Sequence, residues 1–160
     1  MGYMNLIGSD FSEKAVRDTK ENLKWLSKEL RISNYELRIE KINVLDLAKN
    51  FTEKSVDAII TEPFLGQPMR GNEKPETING IIADLKKLYL LAFSQFKIVL
   101  KKPGKIVIVI PEWHIGGSIF KMDIEKDIKA LGLERLDKDD LIYRREDQKV
   151  WRKIEIWKNL

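Results

Sequence analysis

Apolar and polar positions along this chain follow two rhythms, short runs and helical stripes, and they take turns. Asn5-Leu-Ile-Gly-Ser-Asp10 is a short strand-like segment ending at an acid. Ser12 then offers an N-cap, with Glu13 in the first helical turn. Ala15, Val16, Leu23, Leu26 and Leu30 recur at helical spacing and predict a helix over 13–30. Ser33-Asn34 marks a turn, and Leu37, Ile39 and Ile42 read as a second strand. Val56, Ala58, Ile59 and Ile60 form an apolar run of the kind buried inside a parallel sheet. Ile81, Leu85, Leu88, Leu91, Ala92, Phe96 and Val99 make the stripe of a long helix over 76–100. Residues 105–110 are the most hydrophobic strand, which Pro111 is expected to close. A helix over 119–131 is capped by Gly132. The segments 140–145 and 149–158 read as a β-hairpin around Glu146-Asp147-Gln148.

Strands alternating with helices predict an α/β layered domain whose sheet is mainly parallel, with the C-terminal hairpin as an antiparallel edge. At 160 residues the chain is expected to form a single domain, 1–160. No apolar run reaches the ~18–20 residues of a membrane span, which argues for a soluble protein without membrane partners. Cysteine is absent, so no disulfide framework or thiolate metal site is available, and a cytoplasmic setting is the default expectation. The net charge of +4 permits nucleic-acid binding and fits a lysine-rich, solubilising surface equally well.

The candidate chemistry sits after the strand at 56–60. Open parallel sheets place ligand sites beyond the carboxyl ends of their strands, which is where Glu62, Pro63 and Phe64 stand. Pro63 donates no N–H to a ladder and pushes Glu62 towards extended backbone. The product is a stiff corner with a hydrogen-bond acceptor beside a flat ring, suited to a planar group bearing an amine. Residues 67–75 follow as a loop whose position suits a mobile or a substrate-facing segment. Arg70, Lys74, Arg144, Arg145 and Arg152 are candidate phosphate contacts or scattered surface charge. Trp113 is a candidate base-stacking ring or a packing residue. His114 is the only histidine, and nothing in the pattern points to a metal centre. Neither a GxSxG elbow nor a Walker-type phosphate loop is present.

Three segments together resemble the Rossmann-like class I S-adenosylmethionine-dependent methyltransferases. They are Ile7-Gly-Ser-Asp10 with Ala15-Val16 and Asn22-Leu23, then Val56 to Gly66, then Ile142-Tyr-Arg-Arg145 with Trp151-Arg152 and Ile154 to Trp157. More narrowly, the chain is similar to the RNA methylase group that modifies guanosine amino groups of tRNA, often alongside a THUMP domain. The resemblance implies that Asp10 binds the ribose hydroxyls of the methyl donor, with Phe11 beside it in the cofactor site; read by itself, Asp10 also suits a helix start. It implies that Asn43 meets the donor's adenine amino group, with Asp46 as its competitor; either residue also suits a turn. The group's Asp-Pro-Pro-Tyr-Gly motif stands here as Glu62-Pro63-Phe64-Leu65-Gly66, making Glu62, Pro63 and Phe64 the catalytic candidates, against a purely structural corner.

The group's first strand and glycine-rich turn have no counterpart in this sequence, so it resembles an N-terminally truncated methyltransferase domain. The lost strand lies at the centre of the family's sheet, and its removal bares backbone donors and acceptors. A strand from a partner chain, pairing of two copies, or closure of the two halves would meet that need, and association is the expectation. Two functions follow. One is a methyltransferase, or a fragment of one, that uses S-adenosylmethionine on an exocyclic amine of RNA, tRNA guanosine first. The other is a non-catalytic subunit whose donor site a partner completes. A methyltransferase of a non-nucleic-acid substrate is the third possibility, because this fold serves many chemistries.

Overall fold

The computed structural model describes residues 5–30, 36–136 and 141–160. The chain divides into two compact units, Met1–Asn50 and Phe51–Leu160. The Ser33-Asn34 turn and the first residue of the 140–145 segment lie outside the described residues. Among the described residues no helix is long and apolar enough to cross a membrane.

The first unit is a β-α-β arrangement. Strand β1 (Asn5–Asp10), helix α1 (Glu13–Leu30) and strand β2 (Glu36–Lys41) follow one another, and the strands pair in parallel from Asn5↔Glu36 to Asp10↔Lys41. Ser12 caps α1 as its position predicts, its Oγ accepting the Ala15 N–H at 3.3 Å. A 3-10 turn (Val44–Asp46) then leads into the short helix α2 (Leu47–Asn50). The core is small: Val16, Ile42 and Leu47 are buried, while Leu6, Ile7, Leu26 and Leu37 remain well exposed. Two strands and one amphipathic helix enclose little apolar volume. Among the described residues β1 pairs with β2 alone.

The second unit holds strand β3 (Val56–Thr61), helix α3 (Pro75–Val99), strands β4 (Leu100–Ile115) and β5 (Ser118–Lys121), helix α4 (Glu125–Ala130), and strands β6 (Leu133–Arg135), β7 (Leu141–Tyr143) and β8 (Val150–Asn159). The main sheet order is β3-β4-β8-β6, with β5 on β4 and β7 on β8. Among the described residues of this unit only β3 and β4 run parallel; the β4–β5, β4–β8, β6–β8 and β7–β8 ladders are antiparallel. The sheet is therefore mixed, with its parallel part at β3 and the expected hairpin, β7–β8, in place. Proline at the first position of α3 suits its start, where no N–H is needed.

Three local expectations need correction. Pro111 does not close the fourth strand, because β4 runs on to Ile115 with Pro111 opposite Arg152. Position 111 turns its nitrogen to the same side as the Val109 carbonyl, which accepts from the Tyr89 hydroxyl rather than from a strand. The missing N–H therefore costs no ladder bond. The helix expected over 119–131 is a strand at its front, since Gly116 (φ 59) and Gly117 (φ 78) make a two-residue turn that pairs β5 with β4. Only Glu125–Ala130 is helical, and Gly132 (φ 78) ends it in the left-handed conformation expected of that glycine. Finally, Ile60 is 81% exposed although the apolar run predicted burial, for β3 pairs with β4 only among the described residues.

The core of this unit lies between α3 and the sheet. Tyr89, Phe93, Phe96 and Val99 pack with Ile106, Ile108, Ile110 and Trp157, all of them buried. Gly104 sits tightly at the start of this layer. A Cβ there would stand 2.5 Å from Leu100 Cγ and 2.7 Å from the Lys101 carbonyl oxygen. Gly104→Ala is expected to destabilise the protein by about 1–3 kcal/mol in chemical denaturation, the usual cost of overpacking. Wild-type stability in that variant would contradict the packing described.

Candidate functional site

The corner after β3 forms as its sequence dictates. The strand ends at Thr61, and Glu62, Pro63 and Phe64 continue at its carboxyl end, beside its parallel neighbour β4. Phe64 is 55% exposed. Its backbone is anchored from below, because the buried Tyr89 hydroxyl lies 3.3 Å from both the Phe64 and the Val109 carbonyl oxygens. Burial first, and the Glu62 carboxylate second, push the Tyr89 phenol well above its ordinary pKa. It therefore stays a donor at any physiological pH. Gly66 (φ 94) follows, packed against Ile81 and Leu85 of α3 so closely that a Cβ would stand 3.2 Å from Ile81 Cγ2. The loop beyond is ordered by Glu73, whose carboxylate accepts the Arg70 N–H at 2.6 Å and the Gly71 N–H at 2.9 Å.

Glu62 has a partner that sequence spacing does not reveal. Arg152 Nε donates to Glu62 Oε1 at 2.9 Å, across 90 residues of chain. Arg152 also donates through Nη1 to Gln148 Oε1 at 3.3 Å and lies 5.9 Å from the Tyr143 ring centroid. Arg145 Nε donates to the Tyr143 hydroxyl at 3.4 Å, and that hydrogen bond and the Arg145 charge lower the phenol's pKa. The β7–β8 register places Tyr143 opposite Arg152, so strand pairing assembles this group.

The alternate positions of the hairpin carry a second set. Trp151 stacks on His114 with ring centroids 3.4 Å apart and planes at 13°, and the Arg144 guanidinium lies 4.1 Å from the same Trp151 ring. His114 Nε2 lies 2.6 Å from Glu112 Oε1, and Lys121 Nζ lies 2.9 Å from Glu112 Oε2. Burial alone would raise the Glu112 carboxyl, but hydrogen bonds from Lys121 and His114 outweigh it and hold the group below its ordinary value. His114 is thus a packed, paired side chain. Trp113 is fully buried, so it is core rather than a base-stacking surface. Among the described residues no three histidine, aspartate or glutamate side chains cluster as metal ligands.

The donor-site candidates lie in the first unit. Asp10 ends β1 and Asn43 follows the end of β2, so the carboxyl ends of two adjacent parallel strands bring them together. Asp10 Oδ1 accepts the Ser12 N–H at 2.7 Å, which makes it a helix-entry residue; its other oxygen has no partner among the described residues. Phe11 is 72% exposed next to it. Asn43 Oδ1 accepts the Leu45 N–H at 3.0 Å as the cap of the 3-10 turn, leaving one lone pair on that oxygen and the whole amide NH2. Asp46 is paired with Lys49 at 2.6 Å. The turn-forming and the ligand-binding roles of Asp10 and Asn43 are therefore compatible. A ribose diol and an adenine edge fit this set: an exposed ring beside a carboxylate oxygen, with an amide one strand away.

No family model matches the chain, and no curated protein matches it. Solved structures do. A protein from Methanosarcina mazei described as a SAM-dependent methyltransferase superposes with a TM-score of 0.65 at 13% identity, over 98% of this chain and 82% of its own. The chain has the Rossmann-like methyltransferase fold. The [4+2]-cyclase SpnF matches at a TM-score of 0.64 and 12% identity, over 98% of this chain and 66% of SpnF. TrmN from Thermus thermophilus matches at 0.57 and 14%, over 98% of this chain and 36% of TrmN. The chain thus spans about a third of TrmN's length. At these identities the likeness is one of fold. A cyclase among the neighbours means that the chemistry must be read from the side chains.

Proposed function

We propose that this chain is an S-adenosylmethionine-dependent methyltransferase, or part of one, acting on an exocyclic amino group of RNA, with tRNA guanosine as the first candidate. The observation that carries this reading is the Glu62-Pro63-Phe64 corner: a carboxylate and an exposed ring held at the carboxyl end of a parallel strand. An exocyclic amine is a poor nucleophile because its lone pair is delocalised into the base. Glu62 accepts one amine hydrogen and the Pro63 carbonyl is available for the other, which turns the lone pair out of the ring plane. Phe64 stacks on the base. Positioning and electrostatics then supply the catalysis. Asp10, Phe11 and Asn43 are the residues that would hold the donor, Asp10 by its ribose and Asn43 by its adenine. The bound donor supplies an electrophilic methyl group.

Calorimetry with S-adenosylhomocysteine tests the donor half. The protein is expected to bind it, and Asp10→Ala to weaken binding about tenfold to a hundredfold, as expected for losing hydrogen bonds to a charged acceptor. Undiminished affinity in that variant would remove Asp10 from the site.

Among the described residues β1 and β3 each pair on one side only, which favours a second reading, a subunit whose partner strand completes the domain. No detectable heat together with a dimer or mixed complex in sedimentation would select it.

A further inference from the structure

We propose that Arg152 is a positioning residue that exchanges Glu62 for a phosphate of the substrate, so that the corner accepts an amine only from a phosphate-bearing molecule. This rests on the amine-methylating reading and names its gate. In the structure one oxygen of Glu62 is already taken, since Oε1 accepts the Arg152 Nε–H at 2.9 Å. An arriving amine therefore meets an acceptor with a cation bound to it. The pair is readily exchanged, because the Glu62 side chain is 49% and the Arg152 side chain 25% accessible, and ion pairs open to solvent hold weakly. A phosphate is the natural competitor, since a guanidinium fork meets it through two charge-assisted hydrogen bonds.

The surroundings are built for that exchange. Gln148 Oε1 accepts from both Arg152 Nη1 (3.3 Å) and the Arg145 backbone N–H (3.1 Å), so one side chain ties the two arginines together. Arg145 reaches the same group through the Tyr143 hydroxyl. Between Leu141 and Lys153 five basic residues stand against two acids, an excess that complements a polyanion. Phe64, two residues on from Glu62, and Tyr143, whose ring centroid lies 5.9 Å from the Arg152 guanidinium, are 55% and 48% exposed. Rings interleaved with arginines suit unstacked bases and their phosphates. The shared chemistry is a nucleobase amine with a phosphate close by, whether in a strand or in a free nucleotide.

The test measures the affinity of a labelled single-stranded oligoribonucleotide across a salt series for the wild type, Arg152→Gln and Arg152→Lys. In Arg152→Gln the slope of log affinity against log salt is expected to fall by about 0.7, the share of one phosphate contact on a single strand. Arg152→Lys keeps the charge and is expected to keep the slope, which separates charge from folding. Competition by guanosine monophosphate distinguishes the two sources: displacement points to free nucleotides, its absence to a strand. In methyl transfer, Arg152→Gln is expected to raise use of the phosphate-free nucleoside relative to the oligonucleotide. An unchanged salt slope, or equal loss with both substrates, would overturn the exchange. A reduced slope without methylation of any amine would keep the exchange and remove the methylation reading.

Discussion

Glu62→Ala is expected to lower methyl transfer about a hundredfold, the scale on which loss of positioning acts, while folding stability changes by less than about 1 kcal/mol. The two numbers diverge for a physical reason. In the folded protein Glu62 makes one exposed ion pair, with Arg152 at 2.9 Å, and its side chain is 49% accessible. Removing it strands no buried charge. In the proposed reaction the same carboxylate holds the amine in the one orientation that exposes its lone pair. Glu62→Gln keeps an acceptor oxygen without the charge and is expected to fall between wild type and alanine. Initial rates with S-adenosylmethionine and an RNA acceptor, read beside denaturation curves, decide the matter. Wild-type turnover in Glu62→Ala would take Glu62 out of the mechanism and leave the corner structural.

Trp157→Ala is expected to cost about 3–5 kcal/mol, the range for deleting a large buried aromatic. Trp157 is fully buried and meets the Phe93 ring edge-on, with centroids 5.9 Å apart and planes at 71°. Its Nε1 donates to Glu155 Oε2 at 3.1 Å, a bond that is also lost. The Glu155 carboxylate keeps Arg135 at 3.5 Å and Lys153 at 3.8 Å, so its charge is not stranded. The cavity and the lost ring contact dominate. Domains of this size are stable by only about 5–15 kcal/mol, so the denaturant midpoint should move far towards zero. Trp157→Phe retains the ring against Phe93 and should recover most of the loss. A change below about 1 kcal/mol in Trp157→Ala would contradict the central place given to this residue.

Reading the elements from the sequence succeeded where one local signal acted alone. Helix α1 begins and ends where Ser12, Glu13 and the apolar spacing put it, Glu13–Leu30. Strand β1 ends at Asp10, and the corner follows β3 at Glu62. Reading failed where a second segment decided. The apolar pattern over 119–131 looks helical by itself, yet the Gly116-Gly117 turn delivers its first residues into pairing with β4. That glycine pair between apolar flanks was the available signal. Pro111 breaks a strand only if its nitrogen faces a partner, and here it does not. Leu133–Arg135 is too short for periodicity and becomes a strand by pairing with β8.

The order of residues alone determined the alternation of strands and helices, the cap of α1, the rigid Glu62-Pro63 corner and the acid at the end of β1, since each depends on neighbours within a few positions. Tertiary structure alone decided what Glu62 touches. Arg152 is 90 residues away and arrives only because β8 pairs antiparallel with β4, and Tyr143 joins it only through the β7–β8 register. Strand pairing is non-local: a one-residue slip in register turns every side chain to the other face. No pattern along the chain encodes that choice; the packed sheet makes it.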